Sequence, residues 1–193
     1  MTIRPATALD IEDLSILLTQ AFSNDPLLRE VLNHESAWQR TALPYFTLTL
    51  TNAIKCGYTL VDTGPRGVSI WEPPGINIPL PRQLINLYRM ISVLGRNLGR
   101  ALLIQREIER YRPAHPYWYL AYIATDPSCQ RQGIGTSLLA PVLALADQDN
   151  QPVYLECSNK DNIGFYLNHG FNIVTEITLP GGPGIWPMLR KAG

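Results

Sequence analysis

Between residues 123 and 139 an apolar run turns through Asp126-Pro127 and re-emerges, by way of Gly133-Ile134-Gly135, as an amphipathic helix. This strand–turn–helix constrains the chain more than any other stretch. Glycine at the turn lets the backbone approach a ligand with no Cβ in the way. The first turn of the helix then offers unpaired N–H groups and the positive end of its dipole. Together these features predict a pyrophosphate site, with Arg131 adding a charge-assisted contact. A tight turn packed against a sheet would use the same glycines and bind nothing.

Two common phosphate motifs are excluded here. A P-loop carries Lys directly after its second glycine, and none follows Gly135. The dinucleotide fingerprint needs a third glycine three residues on, where Ser137-Leu138 stand instead.

The remaining chain sets this turn in a sheet. Residues 2–5 read as a short strand, and Asp10 as the N-cap of a helix with Ile11, Leu14, Leu17, Leu18 and Ala21 on one face. Residues 36–54 are amphipathic, and Pro44 predicts a kink or two shorter helices. Residues 57–61 and 67–71 form a hairpin pattern through Asp62-Thr63-Gly64-Pro65. An Arg-rich segment from 80 to 112 has helical periodicity, with Gly95 and Gly99 expected to divide it. Strands at 117–124, 152–157, 171–179 and 185–190 then alternate with helices at 133–147 and 162–168. That order predicts an α/β or α+β sheet with helices packed on it, in one domain over 1–193.

Composition narrows the partners. Sixteen basic side chains balance sixteen acidic ones, so the basic excess of a general nucleic-acid binder is missing. No apolar stretch approaches the ~20 residues of a membrane span. Cys56, Cys129 and Cys157 are sparse and form no CxxC, which suits a reducing compartment. His34, His115 and His169 are scattered, and no metal site is expected. The protein reads as cytoplasmic, with no nucleic acid or membrane partner.

The turn also fits Gln/Arg-x-x-Gly-x-Gly, met by Gln130, Gly133 and Gly135. Downstream, residues 159–171 run Asn-Lys-Asp-Asn-Ile-Gly-Phe-Tyr-Leu-Asn-His-Gly-Phe, an Asn-led helix that carries Phe-Tyr and ends in Gly-Phe. The two elements, separated by one helix and one strand, resemble the signatures of the GNAT superfamily of acetyl-CoA-dependent N-acetyltransferases. The opening His-Pro-Tyr-Trp-Tyr-Leu at 115–120 and the closing Pro-Gly-Gly-Pro-Gly-Ile-Trp-Pro-Met-Leu-Arg at 180–190 look like the puromycin N-acetyltransferase branch. The resemblance implies a GNAT-type mixed, largely antiparallel central sheet, splayed at its central strands and flanked by helices. It also implies a helical insertion at about 76–113, between the third and fourth strands.

The roles that follow are likewise implied by the resemblance. The backbone of Ile123, Ala124 and Thr125 pairs with the pantetheine arm of acetyl-CoA, and one amide polarises the thioester carbonyl. Arg131, Gln132, Gly133, Ile134, Gly135 and Thr136 hold the pyrophosphate. Asn162, with Asn159 as a further candidate, bonds the pantetheine or adenine side of the cofactor. Tyr166 matches the family's general acid, since a phenol donates a proton while neutral at pH 7; packing beside Phe165 is its plain alternative. Glu156 is the candidate base, with Glu72 its rival. The acceptor is expected to be a small-molecule amine, a protein amine or a non-catalytic sensor role being the alternatives. Some family members dimerise through their last strands, where Ile173, Val174, Ile177 and Leu179 serve either an interface or the core. The Arg-rich helices are either a solvated face or a cap on the acceptor site, with Tyr88 or Tyr111 touching substrate.

Overall fold

The computed structural model describes residues 2–32, 38–56, 58–75, 88, 91–179 and 181–193. Its strands are β1 (Ile3–Pro5), β2 (Thr59–Asp62), β3 (Gly67–Glu72), β4 (Trp118–Thr125), β5 (Val153–Cys157), β6 (Asn172–Ile173), β7 (Ile177–Thr178) and β8 (Gly184–Arg190). They form a sheet in the order β1-β2-β3-β4-β5-β8-β6, with β7 also on β8. Every pairing is antiparallel except that of β4 with β5. The described helices are α1 (Ile11–Ala21), α2 (Pro26–Leu32), α3 (Trp38–Ala53), α4 (Leu98–Glu109), α5 (Ile134–Gln148) and α6 (Ile163–Leu167).

The one parallel pair shapes the site. β4 and β5 match only at Trp118↔Val153 and Tyr119↔Tyr154. Beyond those residues both strands continue without pairing, so the sheet opens into a wedge. Backbone groups along that edge of β4 are left to find other partners. β3 and β4 also slip register between Ile70 and Trp71, so that Ala121 has no opposite number. Such a bulge reverses which face successive side chains meet. Trp118 and Leu120 join the core under α5, whereas Ala121, Tyr122 and Ala124 join the core under α1 and α3.

Each face of the sheet has its own packing. Under α5, Leu138, Leu139, Val142 and Ala146 meet Trp71, Trp118, Leu155 and Met188. On the other face Leu14, Leu17 and Leu18 of α1 pack against Phe46 and Leu50 of α3, and a smaller cluster joins Ile104 and Ile108 to Ile177, Leu179 and Ile185. These buried clusters are what hold short helices of modest intrinsic stability.

Several expectations are corrected. α3 runs through Pro44 as one helix. Pro44 lies on the exposed side while Trp38, Ala42, Phe46 and Leu50 keep a continuous buried stripe, so the carbonyl that proline leaves unpaired faces water. Gly95, at φ 53°, does interrupt the helical segment, but Gly99 lies inside α4. Asp10 precedes α1, yet its carboxylate turns back to the Thr7 amide at 2.7 Å and to Arg4 at 2.6 Å rather than capping that helix. The single strand expected over 171–179 is the two short strands β6 and β7. Ile177 and Leu179 are buried, while Ile173 and Val174 are exposed. α4 lies between β3 and β4, where the insertion was expected; of that insertion, 76–87 and 89–90 lie outside the described residues. His34 and the side chain of Cys56 lie outside them too.

Candidate active site

The turn between β4 and α5 is held in an unusual backbone. Arg131 and Gly133 both have left-handed φ values, 61° and 79°. Gly133 has open space around it, so conformation rather than room calls for glycine there. Gly135 answers a different need: a Cβ would lie 3.1 Å from the Phe165 ring, on α6. The first helical bond is donated by the Ser137 N–H to the Gly133 carbonyl at 3.0 Å. Among the described residues, the N–H groups of Gln132, Gly133, Ile134, Gly135 and Thr136 donate no hydrogen bond. Several amides therefore stand unpaired at the positive end of a fifteen-residue helix, the arrangement that suits an anion.

The side chains divide. Gln130, Arg131, Gln132 and Thr136 are exposed, whereas Ile134 is buried in the core and has only its backbone to offer. Thr136 Oγ1 lies 3.1 Å from His169 Nε2, and His169 Nδ1 donates to the Phe165 carbonyl at 2.7 Å. His169 therefore ties the end of α6 to the first turn of α5.

A cavity of about 340 Å³ opens at the wedge. Ile123 of β4, Glu156 of β5, Asn162 and Tyr166 all line it. The Glu156 carboxylate is 5% exposed; Arg112 Nε donates to it at 3.1 Å and the Tyr119 hydroxyl at 2.5 Å. Burial raises its pKa above the usual carboxylate value, against the opposing pull of Arg112 and Tyr119. Arg112 also lies over the Tyr119 ring, 4.6 Å from its centroid. Tyr166 is buried, and burial, followed by the nearby Cys157 and Asp25, keeps its phenol protonated well above the ordinary range. Glu72 is solvent-exposed at the end of β3 and is absent from the cavity lining. Partial desolvation nonetheless raises its carboxyl, Arg112 and Glu156 adding opposing influences.

Other groups in the cavity had no signal in the sequence. Asp25, read as part of a helix break, is buried; its Oδ1 accepts the Leu28 N–H at 2.8 Å and its Oδ2 the Ser158 hydroxyl at 2.5 Å. Tyr45 and Tyr122 share a hydroxyl–hydroxyl bond of 2.5 Å across from α3 to β4. Arg112 belonged to the expected solvated face but turns inward to Glu156. Of the residues expected to touch substrate, Tyr88 and Tyr111 are exposed and outside the lining. Trp118 is buried against Tyr58 in the core, whereas its neighbour Tyr119 borders the cavity. Asn159 spends its Oδ1 on the Asp161 N–H at 3.0 Å. Ile123, Ala124 and Thr125 pair with β3 on one side and lie beyond the last pairing with β5 on the other.

The acetyltransferase (GNAT) family model matches residues 92–171, from the segment before α4 through β4, the turn before α5 and α6. The chain is 26% identical over 184 residues to an uncharacterized N-acetyltransferase of Schizosaccharomyces pombe, covering 89% of this chain and 74% of that protein. The mixed, mostly antiparallel sheet of this chain, flanked by helices, has the GNAT fold. A Corynebacterium glutamicum structure, described as histone acetyltransferase HPA2 and related acetyltransferase, superposes with a TM-score of 0.76 at 24% identity, over 100% of this chain and 96% of that one. The Drosophila melanogaster polyamine N-acetyltransferase that forms N-acetylagmatine superposes with a TM-score of 0.69 at 14% identity, over 98% and 99%. Among the described residues, no helix is long and apolar enough to cross a membrane, and no group of three His, Cys, Asp or Glu stands ready for a metal ion.

Proposed function

We propose that the protein moves an acetyl group from acetyl-CoA to the primary amine of a small molecule, both substrates being bound together. The observation that carries this reading is the wedge between β4 and β5. It has unpaired amides at the nearby start of α5 and, in its cavity, a desolvated carboxylate and a protonated phenol.

Acetyl-CoA supplies an activated thioester carbonyl. The amides of Arg131, Gln132, Gly133, Ile134, Gly135 and Thr136 hold its pyrophosphate, and Gln130 flanks them. The open edge of β4 at Ile123, Ala124 and Thr125 takes its pantetheine arm, with Asn162 and Asn159 beside it. A backbone amide on that edge draws charge onto the carbonyl oxygen. Glu156 takes the proton of the incoming ammonium, directly or through water, and its raised pKa makes it a stronger base than an exposed carboxylate. The amine attacks the carbonyl carbon, and as the C–S bond breaks Tyr166 gives a proton to the departing thiolate and regains one from the nitrogen of the new amide; its elevated pKa keeps that proton in place at neutral pH until then. A small acceptor is favoured because α2 and α4 wall the cavity. A protein chain would need an open groove.

The test is release of free thiol from acetyl-CoA across a panel of amines that includes alkylamines, arylalkylamines, diamines and puromycin-like aminonucleosides. Turnover on one class establishes the chemistry. Binding of acetyl-CoA with no turnover on any amine would instead favour a sensor.

A further inference from the structure

Among the described residues, the buried carboxylates differ in how their charge is met. Asp62 is fully buried and pairs with Arg66 at 2.7 Å, and Glu156 pairs with Arg112 at 3.1 Å. Asp25 is 8% exposed, and no lysine or arginine among the described residues pairs with it. Its partners are neutral: the Leu27 and Leu28 amides and the Ser158 hydroxyl. An anion taken out of water without a counter-charge is costly, and burial accordingly pushes its carboxyl above the ordinary range. A positive charge arriving beside it would reverse that cost.

Asp25 lines the cavity, and what surrounds it there is mostly apolar. α2 contributes Leu27, Leu28 and Val31, and α4 contributes Leu98, Ile104 and Ile108. The one described cation in the lining is Arg112, already committed to Glu156. Ser158, which holds Asp25, directly follows Cys157 at the end of β5, and the charge of Asp25 is felt at both Cys157 and Tyr166. The unbalanced negative charge therefore lies at the same end of the cavity as Tyr166.

We infer that the acceptor is a monocationic primary amine with an apolar body, its ammonium held on Asp25 and its body laid along α2 and α4. The inference rests on the acetyltransferase reading above. A diamine of similar length would press a second ammonium against leucine and isoleucine, because Glu156, the other carboxylate described in the lining, is already paired with Arg112. Asp25 docks the amine, while Glu156 remains the group that takes its proton.

The experiment compares matched acceptors on the full chain: phenethylamine and hexylamine against 1,6-diaminohexane and agmatine, read by thiol release. The monoamines should exceed the dications by roughly tenfold or more in kcat/KM. Asp25→Asn should raise the monoamine KM about tenfold while leaving the acetyl-CoA KM and the pH dependence of kcat unchanged. Because Asp25 also caps α2, a second variant guards against misfolding. Leu102→Glu adds a carboxylate to the exposed rim of the apolar wall and should narrow or reverse the preference against dications. Equal or better use of diamines by the native protein overturns the substrate class, as does an unchanged preference in Leu102→Glu. An unchanged amine KM in folded Asp25→Asn removes Asp25 from docking. Absence of thiol release with every amine, despite bound acetyl-CoA, overturns the transferase reading itself and is recognisable as that separate failure.

Discussion

The turn before α5 draws its donors from consecutive residues, Gln130 through Thr136, and chiefly from their backbone. The cavity draws polar groups such as Asp25, Arg112, Tyr119, Glu156, Asn162 and Tyr166 from distant parts of the chain, and these act through side chains. The contrast predicts two kinds of vulnerability. Side-chain replacements should barely disturb the turn unless they alter its backbone. In the cavity, removing one oxygen should change the chemistry while leaving the anion turn intact.

The largest effect should come from the cavity. Tyr166→Phe removes the proposed proton donor and leaves the ring packed against Phe165 and Phe171. kcat should fall by about a hundredfold or more, with the acetyl-CoA KM within about twofold of native. An unchanged kcat would take the phenol out of the mechanism and leave it a packing residue.

Glu156→Gln comes next. A base works only once it has lost its proton, so native activity should rise with pH through the raised pKa of Glu156, above the usual carboxylate range. Gln keeps an acceptor for Tyr119 and Arg112 but takes up no proton. Activity should then appear only as the free amine deprotonates, near pH 10 for an alkylamine. A pH profile with the same acidic limb in the variant would reject Glu156 as the base.

The same contrast explains how much was readable beforehand. The conformation of the turn before α5 was legible because its requirement is local: two glycines, a proline turn and a helix start in one stretch, each residue constraining its neighbours. Tyr166 and Glu156 were reachable through their own segments, and both line the cavity. Asp25 was not, because an Asn-Asp-Pro break looks the same whether its carboxylate meets water or a cavity. Arg112 sat in an arginine-rich helical pattern that gives no sign of which guanidinium turns inward. The bulge at Ala121 left no mark either, since it depends on the register with β3 rather than on the β4 sequence. The break between β6 and β7 escaped for a similar reason: the apolar residues at 171–179 are continuous, but they divide between burial and exposure only against β8.

Within the turn, Gly133→Val should act through conformation alone. A β-branched side chain at φ 79° carries a backbone penalty of about 1–2 kcal/mol, which would raise the acetyl-CoA KM by about tenfold if it falls on the bound geometry. kcat at saturating acetyl-CoA should stay near native. A matching loss of kcat would mean that the turn also sets the cavity, by way of Gly135 against Phe165.

Arg131 offers the smallest and sharpest division, because it has both an exposed guanidinium and a left-handed φ of 61°. Arg131→Ala and Arg131→Gly both delete the charge, but only glycine relieves the backbone. Relief of about 1–2 kcal/mol, less the ~0.5–1 kcal/mol of extra freedom glycine has when unfolded, should leave the Gly variant more stable than the Ala variant by about 0.5–1 kcal/mol in urea unfolding. If the guanidinium touches phosphate, both variants should raise the acetyl-CoA KM together, about threefold, the modest value of an exposed ionic contact. If Ala keeps the native KM and Gly alone weakens binding, the contribution of Arg131 is a fixed backbone rather than a charge. The turn would then bind its anion through amides alone, and the division between a backbone-built and a side-chain-built half of the site would be complete.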